Sequence, residues 1–199
     1  MNYEYLYLGL AWSVYLALHS ILANNNVKEF AYKNLGSSAI SYRKLYVVFS
    51  ALGFAGIFLY GGLFPPDYLF LPAPGYQYAG LFIAYWGVFL MIKAFKKYDL
   101  KTFLGITDPN TEHNALLTNG IFSIIRHPVY AGTILLLAGY VLYLPTISSL
   151  IFMLTNMLYL IVGIYLEEKK LLEAYGEEYE RYRERVPGII PKLKIFGKL

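Results

Sequence analysis

Five apolar runs separated by polar segments restrict this chain to folds that cross a membrane. A helix rises about 1.5 Å per residue, so roughly 20 apolar residues span the ~30 Å hydrocarbon core of a bilayer. The composition of the 199 residues agrees, because 57% are hydrophobic and only 15% are charged, against about 25% charged in a soluble domain. The runs predicted to cross the membrane are residues 3–23, 45–64, 76–92, 129–144 and 147–166.

The connections between these runs indicate their arrangement. Pro65 and Pro66 end the second run, and four prolines make the following loop extended and stiff. Pro128 suits the first turn of the fourth helix, where its missing N–H costs nothing. The turn at Pro145-Thr146 is so short that runs four and five form an antiparallel hairpin. We therefore predict an all-α fold, a polytopic membrane protein with five transmembrane helices in which helices 4 and 5 form a tight hairpin.

The distribution of lysine and arginine predicts the orientation of these helices. The loops after the first and third runs and the C-terminal tail are rich in both, whereas the N-terminus and the other two loops contain neither. Because positively charged loops stay in the cytoplasm, the N-terminus is predicted outside and the C-terminus cytoplasmic. The first run lacks a preceding basic region, so it is expected to be a retained helix and not a secretory signal. A bacterial or archaeal inner membrane fits this pattern, and an organelle membrane is an open alternative.

Several chemistries lack the residues that they need. The chain has no cysteine, which excludes disulfides, thiolate metal sites and a cysteine nucleophile. No P-loop, GxGxxG, HExxH or GxSxG motif is present, so nucleotide hydrolysis, a Rossmann cofactor domain, zincin chemistry and an α/β-hydrolase triad lack their signatures. The net charge of +4 is interpreted as a topology signal. No metal site, nucleic-acid partner or obligate protein partner is predicted, and the lipid bilayer is the expected partner.

A charged triplet, Arg126-His127-Pro128, stands where the fourth helix begins. A helix N-terminus exposes unpaired N–H groups and carries positive partial charge, so it favours an anion such as a carboxylate or phosphate. Unpaired ionisable residues at a membrane boundary are costly, and by default they indicate a site. The turn Thr118-Asn119-Gly120 precedes the triplet. The alternative interpretation is that Arg126 only marks the membrane boundary.

Two adjacent carboxylates, Glu167 and Glu168, follow the fifth run. On a helix they project about 100° apart, so both cannot face the same partner. One can close a pocket while the other is solvated or pairs with a lysine. The alternative is a solvated helix end with ordinary i,i+4 pairs such as Lys169 with Glu173.

The tail beyond the carboxylates predicts an amphipathic cytoplasmic helix. Its apolar and aromatic residues recur in steps of three, four and seven, which places many of them on one face. That face could lie on the membrane surface or fold over helices four and five as a lid. The residues concerned are Leu171, Leu172, Tyr175, Tyr179, Tyr182 and Val186.

Two residues are candidate catalytic bases. His19 stands at the end of the first run, and imidazole titrates near neutral pH, as a general base should. Asp99, after a cluster of lysines, is a candidate of similar standing. The alternative for His19 is an interfacial residue that is held by hydrogen bonds.

Residues 116–191 resemble the membrane methyltransferase superfamily that includes isoprenylcysteine carboxyl methyltransferases and phospholipid N-methyltransferases. The matching pieces are LLTNGIFSIIRHPVYAG and EEKKLLEAYGEEYERYRERVPGIIP. The resemblance implies a pocket for S-adenosylmethionine (SAM) built from the RHPxY motif, the Glu-Glu pair and the tail, with residues 1–115 on the substrate side of a single membrane domain, 1–199. The cofactor-binding residues that it implies are Gly120, Arg126, His127, Pro128, Tyr130, Glu167, Glu168, Tyr179 and Tyr182.

The N-terminal half is similar to one branch of this superfamily. The segments LALHSILANNNVK, YRKLY and KKYDLKTFLGI resemble the branch that contains methanethiol S-methyltransferases and NnrU-like proteins. In that branch an Asp-Leu-Phe-Gly-Leu stretch is compact, whereas here Lys101 and Thr102 separate its two parts. This departure leaves the substrate open between a thiol, an isoprenylcysteine carboxylate and a phospholipid amine.

The leading hypothesis is therefore a SAM-dependent integral membrane methyltransferase that acts on a thiol or another small or lipophilic nucleophile. Arg126 and the helix N-terminus would hold the carboxylate of SAM, and one glutamate its amino group or ribose hydroxyls. Tyrosine faces would contact the adenine or the sulfonium. Two alternatives are an NADPH-dependent sterol-type reductase, which shares the RHPxY resemblance, and a non-enzymatic membrane carrier.

Overall fold

The computed structural model describes residues 3–34, 36, 38–97 and 115–191. In this part of the chain the predicted all-α class is confirmed, and an isolated bridge between Tyr68 and Thr146 is the only β-type pairing. A 3₁₀ turn at Gly120–Ser123 precedes the charged triplet. The helices are α1 (Tyr3–Ala23), α2 (Asn25–Asn34), α3 (Ala39–Gly62), α4 (Pro74–Phe95), α5 (Pro128–Tyr143), α6 (Ile147–Tyr175) and α7 (Glu177–Arg185).

Four of these helices are long and apolar enough to cross a membrane, namely α1, α3, α4 and α6. This makes the chain an integral membrane protein by the length and composition of its described helices. Helix α5 is apolar but has only 16 residues, about 24 Å at 1.5 Å per residue. The fifth membrane crossing thus stays a prediction.

Helix boundaries follow local signals that the apolar runs alone do not contain. Helix α3 begins at Ala39 and not at residue 45, because the Ser38 side chain caps it by accepting a hydrogen bond from Ser41 N at 3.1 Å. Helix α6 continues to Tyr175, well past the predicted end at residue 166. The polar segment after residue 166 consists mostly of good helix formers, so Glu167 and Glu168 lie within a continuous helix and not at its end.

Helix α5 packs most closely against α4, which the sequence did not predict. Glycines allow the two backbones to touch: a Cβ added at Gly80 would lie 2.5 Å from the carbonyl oxygen of Gly139, and one at Gly87 would lie 2.5 Å from that of Gly132. Small residues at membrane helix crossings permit this approach. Helix α5 also contacts α6. Its first turn is therefore positioned by both neighbouring helices.

The helix ends opposite His19 are tied together by the loop between α3 and α4. Leu69 N donates to Pro145 O at 2.8 Å, and Ile147 N donates to Asp67 O at 3.0 Å. The Tyr5 hydroxyl donates to the Asp67 carboxylate at 2.7 Å. The opposite end of the bundle holds His19, Arg126 and Glu168, and we call it the polar end.

Candidate functional site

The charged triplet and the second glutamate meet at the polar end. Arg126 donates to Glu168 Oε1 from Nε at 3.0 Å and from Nη2 at 2.7 Å, and His127 Nε2 donates to the same oxygen at 2.6 Å. The side chains of Arg126, Glu168 and His127 are 12%, 17% and 1% exposed. A carboxylate withdrawn from water to this extent depends on these donors, and we call the three residues the Glu168 cluster.

Arg126 also binds the last turn of α7 and the chain that follows it. Its Nη1 donates to the carbonyl oxygens of Arg183, at 3.1 Å, and Val186. The backbones pair as well, because Arg126 N donates to Pro187 O and His127 N donates to Gly188 O, both at 2.9 Å. Four of the five N–H bonds of the guanidinium are therefore occupied within the protein.

Two buried tyrosines of α7 complete this packing. The Tyr182 hydroxyl donates to Phe122 O at 2.6 Å, in the 3₁₀ turn that Gly120 opens with a φ of 64°. Tyr179 is 0% exposed, and its hydroxyl has no partner in hydrogen-bond geometry among the described residues. Burial and the nearby Glu168 carboxylate raise the pKa of Tyr179, so this phenol is protonated at neutral pH.

The predicted tail helix is split in two. Leu171, Leu172 and Tyr175 belong to α6, and Gly176, with φ 51° and ψ −129°, turns the chain before α7. This backbone conformation favours glycine. Helix α7 consequently packs against the segment that precedes α5, where Tyr182 reaches Phe122 and Arg126 reaches Arg183.

A cavity of about 400 Å³ adjoins the Glu168 cluster. Its size lies within the roughly 300–1,000 Å³ typical of small-molecule sites. Glu167 faces this cavity and Glu168 does not line it. Both carboxylates nevertheless lie against His127, with Glu167 Oε2 3.8 Å from Nδ1 and Glu168 Oε1 2.6 Å from Nε2. The prediction that they cannot face the same partner is therefore wrong, because the imidazole has a nitrogen on each side of its ring. Its lining includes His19, Phe95, Phe122, Arg126, His127, Pro128, Val129, Tyr130, Thr133, Tyr159, Leu160 and Glu167.

The first turn of α5 forms one wall of the cavity. Pro128 occupies the first helical position, and the His127 side chain makes no capping hydrogen bond. Tyr130 stands over Gly163 of α6, where an added Cβ would lie 3.2 Å from its ring. A helix N-terminus, a carboxylate and aromatic rings thus converge on one space, which suits a zwitterionic ligand with a planar group.

His19 reaches this cavity from the N-terminal half of the chain. Its Nδ1 lies 3.0 Å from the Ser50 hydroxyl, and its Nε2 lies 2.8 Å from the Tyr46 hydroxyl. The structure therefore brings this predicted base to the same place as the triplet. The other predicted base, Asp99, lies outside the described residues.

Sequence reasoning missed Phe95 and Tyr159 as lining residues. Tyr159 could have been found, because it precedes Glu167 by about two turns of α6 and so shares its face. Phe95 gave no signal, since it is one of many aromatic residues in an apolar run.

These features define a helical integral membrane protein with a cavity at one end whose volume is typical of small-molecule sites. The chain belongs to the NnrU protein family, whose family model matches residues 6–193. The resemblance to this branch of the methyltransferase superfamily is thereby confirmed. No solved structure matches the chain.

Curated relatives carry methyltransferase names. Over 119 residues the chain is 33% identical to the methanethiol S-methyltransferase of Pseudomonas deceptionensis, covering 57% of this chain and 45% of that protein. It is 27% identical over 197 residues to methanethiol S-methyltransferase 2 of Bradyrhizobium diazoefficiens, covering 92% of this chain and 72% of the relative. The protein-S-isoprenylcysteine O-methyltransferase of Schizosaccharomyces pombe is 35% identical over 85 residues, covering 42% of this chain and 36% of the relative. The first of these matches thus spans less than half of the relative's length.

Proposed function

We propose that this protein is a SAM-dependent integral membrane methyltransferase whose cofactor binds in the cavity beside the Glu168 cluster. The observation that carries the proposal is the convergence of the α5 N-terminus, Glu167 and aromatic rings on one cavity of suitable size. The methyltransferase names of the relatives support the reaction class. The acceptor is proposed to be a thiol or another small or lipophilic nucleophile.

The lining residues fit the groups that SAM presents. The first-turn N–H groups of α5 suit a carboxylate, and the Glu167 carboxylate suits an ammonium or ribose hydroxyls. The rings of Tyr130 and Tyr159 offer surfaces for adenine or a sulfonium. Because Arg126 is largely occupied by Glu168 and by tail carbonyls, we assign it the role of holding the pocket wall, together with Tyr179 and Tyr182.

The cofactor would supply a methyl group bonded to a positively charged sulfur. Transfer forms a bond between the acceptor sulfur and the methyl carbon and breaks the bond to the sulfonium, which leaves as a neutral thioether. A thiol acceptor must lose its proton, and His19 is the proposed recipient. The cavity walls would have to hold nucleophile and methyl group in line, and such positioning can supply much of the rate.

A conservative change at Glu167 tests the cofactor site. We expect SAM, titrated by calorimetry into detergent-purified protein, to bind Glu167→Gln about tenfold more weakly than wild type, because the amide lacks the negative charge that attracts the ammonium. Glu173→Gln is the matched control, since that residue lies exposed on the same helix. Wild-type protein that is folded but binds no SAM, or that binds NADPH instead, would refute the proposed function.

We further propose that α5 is a fifth membrane crossing, with the N-terminus outside and the polar end in the cytoplasm of a bacterial or archaeal inner membrane. Because the chain contains no cysteine, a single introduced cysteine can show on which side of the membrane its position lies. In intact cells, an impermeant maleimide should label Leu71→Cys but neither Lys44→Cys nor Lys169→Cys; all three residues are exposed. Labelling of Lys169→Cys from outside would contradict the fifth crossing, because α6 would then run in the opposite direction.

A further inference from the structure

A second cavity, of about 590 Å³, lies at the polar end between α1, α2 and α3. His19 lines both this cavity and the 400 Å³ cavity. The imidazole is held in that shared wall by the hydroxyls of Ser50 and Tyr46. The two spaces consequently meet at the one side chain to which we assign the acceptor's proton.

The walls of the second cavity are largely aromatic and are fixed in place. The Tyr15 hydroxyl donates to Ser50 O at 2.8 Å, and the Tyr42 hydroxyl donates to Leu22 O at 2.7 Å. With their hydroxyls bound to backbone, these side chains present ring surfaces to the cavity. Such walls suit an apolar or aromatic ligand body.

Two cations line the same cavity, Lys28 from α2 and Arg43 from α3. No carboxylate is among the described residues that line it. Burial, Arg43 and Lys170 of α6 together lower the pKa of Lys28, so three positive groups from three helices lie near one another. An anionic group of a ligand would relieve this repulsion.

Neighbouring cations differ from these two. Lys33 is 76% exposed. Lys44, next to Arg43, is exposed and does not line the cavity. Exposed lysines such as Lys33 and Lys44 are sufficient to set the orientation in the membrane. Lys28 and Arg43, in contrast, are partly buried and line the same cavity.

We infer that the second cavity is the acceptor site, and that it takes an amphiphilic nucleophile with its reactive end at His19 and an anionic group at Lys28 and Arg43. This inference rests on the proposed methyltransferase function. A thiol as small as methanethiol would leave most of 590 Å³ unfilled. The acceptor is therefore a larger molecule whose anionic group is a carboxylate, sulfonate or phosphate.

The test compares a mercaptoalkanoate with the mercaptoalkanol of the same chain length. Titrated by calorimetry into the full chain without SAM, the acid should bind at least about tenfold more tightly than the alcohol. The preference should vanish in Lys28→Gln and Arg43→Gln, persist in Lys33→Gln and Lys44→Gln, and return in Arg43→Lys, which restores the charge. With labelled SAM present, the acid should also be the better methyl acceptor.

Equal binding of acid and alcohol, or a preference that survives both glutamine substitutions, would overturn the inference. Repeating the titration in nanodiscs separates two sources of the anion. If phosphatidylglycerol discs abolish binding of the acid while phosphatidylcholine discs do not, a lipid headgroup occupies the site and the acceptor assignment is wrong. Titrating SAM into the same samples tests the proposed function separately. If the acid binds but SAM does not, the protein is not a SAM-dependent methyltransferase and the cavity is not an acceptor site.

Discussion

Replacing Glu168 with alanine is expected to release α7 from the bundle and to abolish SAM binding. Three hydrogen bonds from Arg126 and His127 converge on one oxygen of this carboxylate. Removing one partner of a buried charge cluster costs about 3–5 kcal/mol, because the remaining charge is left unpaired. Arg126 also donates to the carbonyl oxygens of Arg183 and Val186. If Arg126 moves when Glu168 is removed, these hydrogen bonds are lost and α7 with the chain after it should come free.

Two measurements check this prediction. The thermal midpoint of the purified protein should fall, and trypsin should cleave more rapidly at the arginines of α7. Glu173→Ala is the control, because Glu173 is 65% exposed and pairs with Lys169 on the same helix. A Glu168→Ala protein with wild-type stability, cleavage and SAM affinity would show that the cluster does not hold the tail.

Replacing His19 with asparagine is expected to lower methyl transfer to a thiol by about 10²–10⁴-fold while SAM affinity is kept, as is typical for loss of a general base. The residual rate should rise with pH until the acceptor thiol is fully ionised, because the thiol must then lose its proton unaided. The measurement is a pH profile of methyl transfer with SAM binding measured in parallel.

Ser50→Ala separates this chemical role from a packing role. It removes the hydroxyl beside His19 Nδ1 but keeps the imidazole. If His19 only braces α1 against α3, both variants should lose stability and activity together, with the pH profile unchanged. A His19→Asn enzyme with the wild-type rate and pH profile would eliminate it as the base.

Hydropathy predicted the positions of the membrane helices well, because burial in lipid requires long apolar runs with all backbone groups paired internally. It could not predict that α6 extends to Tyr175, since the segment after residue 166 is held as helix by propensity and not by hydropathy. It also gave no indication that α5 packs on α4, because that contact depends on glycines matched across two separate runs.

The sequence predicted many of the residues of the candidate site but not the contacts between them. Geometry on a single helix predicted that Glu167 and Glu168 project in different directions, but it could not predict that the two nitrogens of His127 reach both of them. That Arg126 is occupied by carbonyls of residues 183 and 186 depends on Gly176 reversing the chain, which a linear pattern does not reveal. The arrival of His19 beside the triplet is likewise a property of the packed bundle.

The pairing of residues 126–127 with 187–188 has a consequence for biosynthesis. Residues 183–188 leave the ribosome after every apolar helix of the described chain has been made. Until they arrive, the guanidinium of Arg126, which lines the cavity, lacks its carbonyl partners. The arrangement around Arg126 is thus completed only after the apolar helices have been made, so a partly synthesised chain would have its helices before this side chain is fixed in place.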